Sequence, residues 1–420
     1  MEADVGRWAK PADGIPTRWT GRLGRERASK GDRHAKDSSR WFRAAGTASA
    51  MLMFLGLSAW GQVAAGPGCA PSDLSAETPR ALECVPDEAS AAPEGAKKAI
   101  GWAVGLDSGG FGTILHTTDG GGRWERQGTS EDVLRNVNLT GAAAVSAREA
   151  WVAGNDGENS GMLLHTRDGG QHWYPEGDPE DLRGNGLVSV SAVDIYTAWA
   201  VGANGLILHT TDGGERWVRQ GAGQAPVVSL QGVYAADASH AWVVGMNEEG
   251  KEYGTILRTT DGGETWSKVP YAITHTPPPS SRYLITVHGV GTNEAWAVGR
   301  GQIIHVSVAS GGIRTTDQTP DIGDYDINGV FAVNQKTVWA VADNSAIWRS
   351  VNAGKGWSKR SPQGAGYIFR VYAIDKKHAW VTTGSYSGQG QILYTDDGGK
   401  NWTPQPIPAD PQMWGISFVK

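Results

Sequence analysis

The sequence predicts an all-β fold: a seven-bladed β-propeller of four-stranded antiparallel blades, closed by a C-terminal strand that completes the first blade. Three observations predict it. A Trp-centred strand recurs seven times, as GWAVG (101–105), AWVAG (150–154), AWAVG (198–202), AWVVG (241–245), AWAVG (295–299), VWAVA (338–342) and AWVTT (379–383). Its Trp residues are spaced by about 46 residues on average, a propeller period. Glycine makes up 59 of 420 residues, about twice its usual share, as many tight turns require.

The elements follow in chain order. Residues 1–65 read as a leader, with a polar and charged stretch running through RHAKDSSRWFR into the apolar run AAGTASAMLMFLGLSAWG (44–61). Val63 and Ala65 offer small residues for cleavage, so the segment is expected to be a signal peptide, with an uncleaved membrane anchor as the alternative. Either exports the remainder, to a periplasm, a thylakoid lumen or the cell exterior. Residues 66–98, rich in Ala, Pro, Ser and Glu, read as a disordered linker. They hold the only two cysteines, Cys69 and Cys84, which are expected to pair in an exported chain. Without residues 1–65, which carry eleven basic and six acidic side chains, the formal charge moves from −6 to −11. That balance does not favour a nucleic-acid partner.

From residue 99 to 420 each unit contains four short apolar stretches, clearest in SLQGVYAAD, AWVVG, GTILRTTDGG and ETWSKV of the fourth copy. They are rich in Val, Ile, Leu, Thr and Trp and bounded by Gly, Asp or Ser, as the strands of one blade are. The first unit starts at AIGWAVG and lacks its leading strand, whereas the chain ends in QMWGISFVK. Residues 413–419 are therefore expected to supply the innermost strand of the blade whose other three lie in 100–127, leaving no open edge.

Between third and fourth strands stands T-x-D-x-G-x-x-W, with Asp119, Asp168, Asp212, Asp261 and Asp397 as its acids. SVNAGKGW (350–357) is a decayed copy and HVSVASGGI has lost the pattern. In such a hairpin Asp is expected to accept backbone N–H groups two residues on, Gly to take positive φ, and Trp to lie across the turn. A catalytic role would need a partner group within reach. Copies on separate blades fan apart from roughly 10 Å off the innermost strands, so these acids are expected to be structural. The same holds for His116, His165, His209 and His305, one per blade, where Arg258, Arg349 and Tyr394 stand in the other units. They are read as inter-blade packing, and no metal or cofactor is expected. The acidic stretch NEEGKE (247–252) reads as a solvated turn rather than a Ca²⁺ loop.

With the repeat AWAVGxxGxILHTTDGGxxWxxQ laid out, residues 100–420 resemble the photosystem II stability and assembly factor family, whose members are lumenal seven-bladed Asp-box propellers. The resemblance implies a non-enzymatic assembly chaperone, exported across a membrane; the chain is expected to be a monomer. Its partner would be a membrane-protein precursor or its exposed tail, held on one propeller face. Two other functions stay open: a carbohydrate or cell-surface binding module, and a sialidase-like glycoside hydrolase. For the latter, IFRVY (368–372) is a partial match to the strand that precedes a sialidase's first Asp box.

Loops joining second to third strands, and each blade to the next, should open on one face, with the Asp-box turns on the other. The first set varies in length, with large insertions at 105–112, 245–254, 270–284 and 306–326. Arg135, Arg183, Arg282, Tyr283, Arg300 and Arg370 are expected near that face as partner-binding residues for an acidic or C-terminal carboxylate peptide.

Overall fold

The computed structural model describes residues 98–128, 134–221, 227–247, 254–274, 283–320, 325–362, 364–384, 390–408 and 411–419. Cys69, Cys84, Arg282 and the NEEGKE stretch beyond Asn247 lie outside the described residues. Seven four-stranded antiparallel sheets follow one another around the ring. Their innermost strands are Gln412–Phe418, Val137–Ala144, Leu187–Ala192, Val227–Ala235, Leu284–Val290, Ile327–Ala332 and Tyr367–Ala373, for blades 1 to 7. Blade 1 is completed as the sequence predicts: Gln412–Phe418 pairs with Gly101–Leu106, placing Phe418 opposite Gly101 and Ile416 opposite Ala103. Among the described residues no helix is long and apolar enough to cross a membrane.

The recurrent Trp explains why the blades stack. All seven, from Trp102 to Trp380, are fully buried on the second strand. Each fills the seam with the following blade. Trp151 packs with Leu187, Ala198 and Ala200 of blade 3, and Trp242 with Leu284, Ala295 and Ala297 of blade 5. Trp380 of blade 7 meets Ala103, Leu115 and Phe418 of blade 1, so the last seam is built like the others. Truncating one such side chain would cost about 3–5 kcal/mol.

The glycine that ends the Trp strand has its own cause. Register shifts bulge the innermost strand, between Met413 and Gly415 opposite Val104 and Gly105 in blade 1 and between Leu284 and Thr286 in blade 5. A Cβ on Gly105 or Gly299 would run into the carbonyl oxygen of Gln412 or Tyr283.

The third-strand His series differs from expectation. His116, His165, His209 and His305 each stack on the Trp of their own blade, with ring centroids 4.4, 4.1, 3.8 and 4.4 Å apart. Arg258 and Arg349 lie over Trp242 and Trp339 in the same way, and Tyr394 against Trp380. A flat tip is what the position requires, because it roofs an indole within one blade.

Inter-blade bonds come from Arg258 and Arg349 of this series, which donate to the Thr292 and Lys376 carbonyls of the next blade at 3.2 and 2.6 Å, and from the residue three places after the box Trp. Gln220 donates to the Gly262 carbonyl of the next blade at 2.7 Å, and Gln405 to that of Gly120 at 3.0 Å. The box Trp reaches backward to the same residues: Trp124 donates to Gln405 and Trp217 to Glu176. It therefore bridges blades and does not simply lie across its own turn.

Candidate partner-binding site

The Asp-box turns define one face. In each intact copy the Thr hydroxyl donates to the Asp and accepts the N–H of the second Gly, as Thr210 does with Asp212 (2.9 Å) and Gly214 (3.0 Å). The Asp accepts the backbone N–H four residues on, Arg216 for Asp212 at 2.9 Å, where the sequence reading placed it two residues on. The turn spans two residues more than a simple Asx turn, with Gly213 and Gly214 both at positive φ. The Gly213 N–H then donates to the Tyr196 carbonyl, clipping the box onto the first hairpin of its own blade. The bond from the Arg216 N–H holds the Asp212 carboxyl below its ordinary range, and the Thr265 side chain and N–H bring Asp261 to about 2. Such groups stay ionised and have no proton to give at neutral pH.

Blade 5 lacks the box and carries a longer hairpin in its place, Gln302–Ala309 against Gly312–Asp317, with Ile313 exposed at its tip. Part of the 306–326 segment assigned to the loop face therefore belongs to the Asp-box face. The cause is topological: a third-to-fourth strand connection always returns there. Only the portion after Asp317 crosses to the loop side.

On the loop face the structure separates the candidate residues into isolated and clustered ones. Arg135, in the connection from blade 1 to blade 2, is exposed and lies over the Phe111 ring at 4.9 Å. Arg183, also exposed, caps the short helix Pro179–Leu182 between blades 2 and 3. Tyr283 and Arg300 converge on Asp326. The phenol donates to its carboxylate at 2.7 Å, and the guanidinium sits 3.5 Å from Oδ1. Burial, with the Asp326 charge adding to it, raises the Tyr283 hydroxyl well above its ordinary value, so it stays a donor.

Two residues on, Asn328 donates to Asp343 at 2.5 Å and to the Ile368 carbonyl at 3.0 Å. Burial, reinforced by Asp326, pushes the Asp343 carboxyl up to about 6, although the Asn328 bond and Arg300 pull the other way. Arg370 donates from Nη1 to the Asn328 carbonyl at 2.7 Å and that of Phe369 at 3.0 Å. It stands on the innermost strand of blade 7 and lines the axial channel. Blades 5 to 7 thus carry one bonded polar network from the loop rim to the channel. Asp326, Asn328 and Asp343 were not singled out in the sequence; their signal is the DYDIN run entering blade 6, with two acids within three residues.

Fold and site together define a class: a seven-bladed Asp-box propeller with a polar cluster on its loop face. The model of the photosynthesis system II assembly factor YCF48 family matches residues 94–194 and 223–372, and the BNR/Asp-box repeat matches 393–404. The chain belongs to the YCF48 family. Among solved structures it is similar to a YCF48 bound to a D1 peptide, with 21% identity and TM-score 0.49 over 66% of this chain and 85% of that one. It is similar also to YCF48 from Cyanidioschyzon merolae, with 17% identity and TM-score 0.48 over 72% and 94%. A GH74 xyloglucanase from Xanthomonas campestris shares 14% identity at TM-score 0.53, over 77% of this chain and 55% of the xyloglucanase. Those likenesses are of fold. No curated protein matches the chain by sequence.

Proposed function

We propose that this chain is an exported, non-enzymatic assembly factor that binds a membrane-protein precursor, or its exposed tail, on the loop face of blades 5 to 7. Membership of an assembly-factor family supports the reading. The observation that supports this location is the convergence of Tyr283 and Arg300 on Asp326 at the rim. An incoming carboxylate there would compete with Asp326 for Arg300, as charge-assisted hydrogen bonds allow. Arg282 precedes Tyr283 directly and adds a second cation. The test is capture of membrane proteins by the tagged native chain. The paired substitution Arg282→Ala and Arg300→Ala should abolish capture, while Arg135→Ala and Arg183→Ala together should leave it. Unchanged capture by the first pair sinks the assignment.

A second reading rests on Asp343, since a carboxyl raised to about 6 beside a charged carboxylate is the arrangement a glycosidase acid would use. Turnover of a fluorogenic glycoside that is lost in Asp343→Asn would establish it in place of the scaffold.

A further inference from the structure

Immediately after the bulge in each innermost strand, six of the seven blades place a small residue and one does not. The positions are Gly141, Ser189, Gly232, Thr286, Gly329 and Gly415, against Arg370 in blade 7. The glycines have a packing reason: a Cβ on Gly141 would crowd the Ser189 backbone, and one on Gly329 would crowd that of Arg370. Narrow strand spacing thus forces small residues around most of this level, and the guanidinium faces the space they leave. The resulting cavity has a volume of about 150 Å³, and no Asp or Glu is among the residues lining it.

A cation in such a place requires compensation. Burial pulls the Arg370 guanidinium down to about 10, which still leaves it charged at neutral pH. Nη1 is satisfied by two backbone carbonyls. Among the described residues Nε and Nη2 have no acceptor, and no carboxylate pairs with the group. A half-buried cation without a counter-charge is left incompletely compensated. The Ser189 hydroxyl, which lines the same cavity, has no bond among the described residues and offers a further donor. We infer that the axial channel is a binding site for one compact oxyanion, a carboxylate or a phosphate-like ion, held by the free edge of Arg370 and by Ser189. At about 10–15 Å³ of such volume per water, the cavity holds an ion of this size with part of its hydration shell.

The site is independent of the partner reading above, and its test needs no partner. The full chain is titrated with millimolar phosphate, and separately with acetate, at constant ionic strength while its thermal midpoint is followed. A selenate-soaked crystal locates the ion by anomalous scattering. Saturable stabilisation by either anion, an apparent affinity at least tenfold weaker in Arg370→Met, and a selenium peak beside Arg370 are expected. Ser189→Ala should weaken binding several-fold, and it keeps the site testable if Arg370→Met fails to fold. Equal shifts in wild type and both variants, no shift at all, or selenium only at surface arginines such as Arg135 and Arg183 would overturn the inference, the last outcome meaning an adventitious ion only.

Discussion

Replacing Asp343 by Asn should stabilise this protein at neutral pH, against the usual expectation for a buried hydrogen-bonded residue. The carboxyl is raised from 3.8 to about 6 in the folded chain. The folded state therefore holds its proton more tightly than the unfolded state does. Below pH 3.8 both are protonated and nothing is lost. Between that pH and about 6 the unfolded carboxyl ionises first, so stability falls as pH rises and stays lower above pH 6. At 1.36 kcal/mol per tenfold change in proton affinity the full difference is about 3 kcal/mol, and partial access to solvent reduces it to about 1–3. Asn keeps the shape, and its carbonyl oxygen can still accept from Asn328, so the substitution removes the ionisation and retains the bond. Urea unfolding followed by Trp fluorescence at pH 4, 5, 6 and 7 would show the curves of wild type and Asp343→Asn diverging only above pH 4. A variant less stable at pH 7 by as much as at pH 4 would refute the reasoning, because the Asn328 contact would then outweigh the cost of the charge. The gain also bears on function, since proteins keep destabilising charges chiefly where a site uses them.

Three further outcomes follow from the scaffold. Thr210→Val should cost about 1–3 kcal/mol in urea unfolding, because it leaves the buried Gly214 N–H without an acceptor. His209 is depressed by burial to about 4, so its contribution is complete above the unfolded value near 6.5 and is lost as pH falls through 4. His209→Tyr, copying blade 7, should flatten stability across that window, and an unchanged acid slope would count against it. Deleting residues 411–420 removes the innermost strand of blade 1 with buried Met413 and Phe418. The product is expected to be aggregated or to melt without a cooperative transition, as gel filtration and calorimetry would show.

Blade number, closure and the identity of the Asp-box face were legible because each depends on a residue type that only one environment explains: a fully buried Trp per unit, a Gly-Gly pair at positive φ, a strand present at one end of the chain and missing at the other. The rest needed register. The Gln of the repeat consensus stood in plain view at 127, 220 and 405, and its spacing of three after the box Trp was the available signal. For Gln220 and Gln405 the partner is a carbonyl on the next blade, which no local pattern reveals. The His series was assigned across blades because its stacking partner, fourteen residues earlier in blade 1, is brought opposite only by hairpin pairing of Trp102 with His116. Arg370 was expected near the loop face. The bulge between Ile368 and Arg370 turns it inward onto the channel wall, and a one-residue shift of that kind leaves no compositional trace.

In a repeat protein the positions that agree describe the scaffold, since every blade must solve the same packing problem. The positions that disagree are then informative in proportion to what the disagreement costs. Glu176 in place of Gln is compensated locally: it accepts from His165, Arg167 and Trp217, so the substitution is absorbed by a different seam. The blade 5 hairpin replaces one self-satisfied turn by another. Arg370 among glycines, and Asp343 beside Asp326, differ from both. Arg370 puts charge where six other blades put a small or neutral group, and Asp343 stands where only blade 5, with Arg300, also carries charge. Both lie in blades 6 and 7, joined through Asn328. A cost concentrated in one sector of an otherwise regular ring is what selection for binding leaves behind, and blades 5 to 7 are where a partner or ion should be sought.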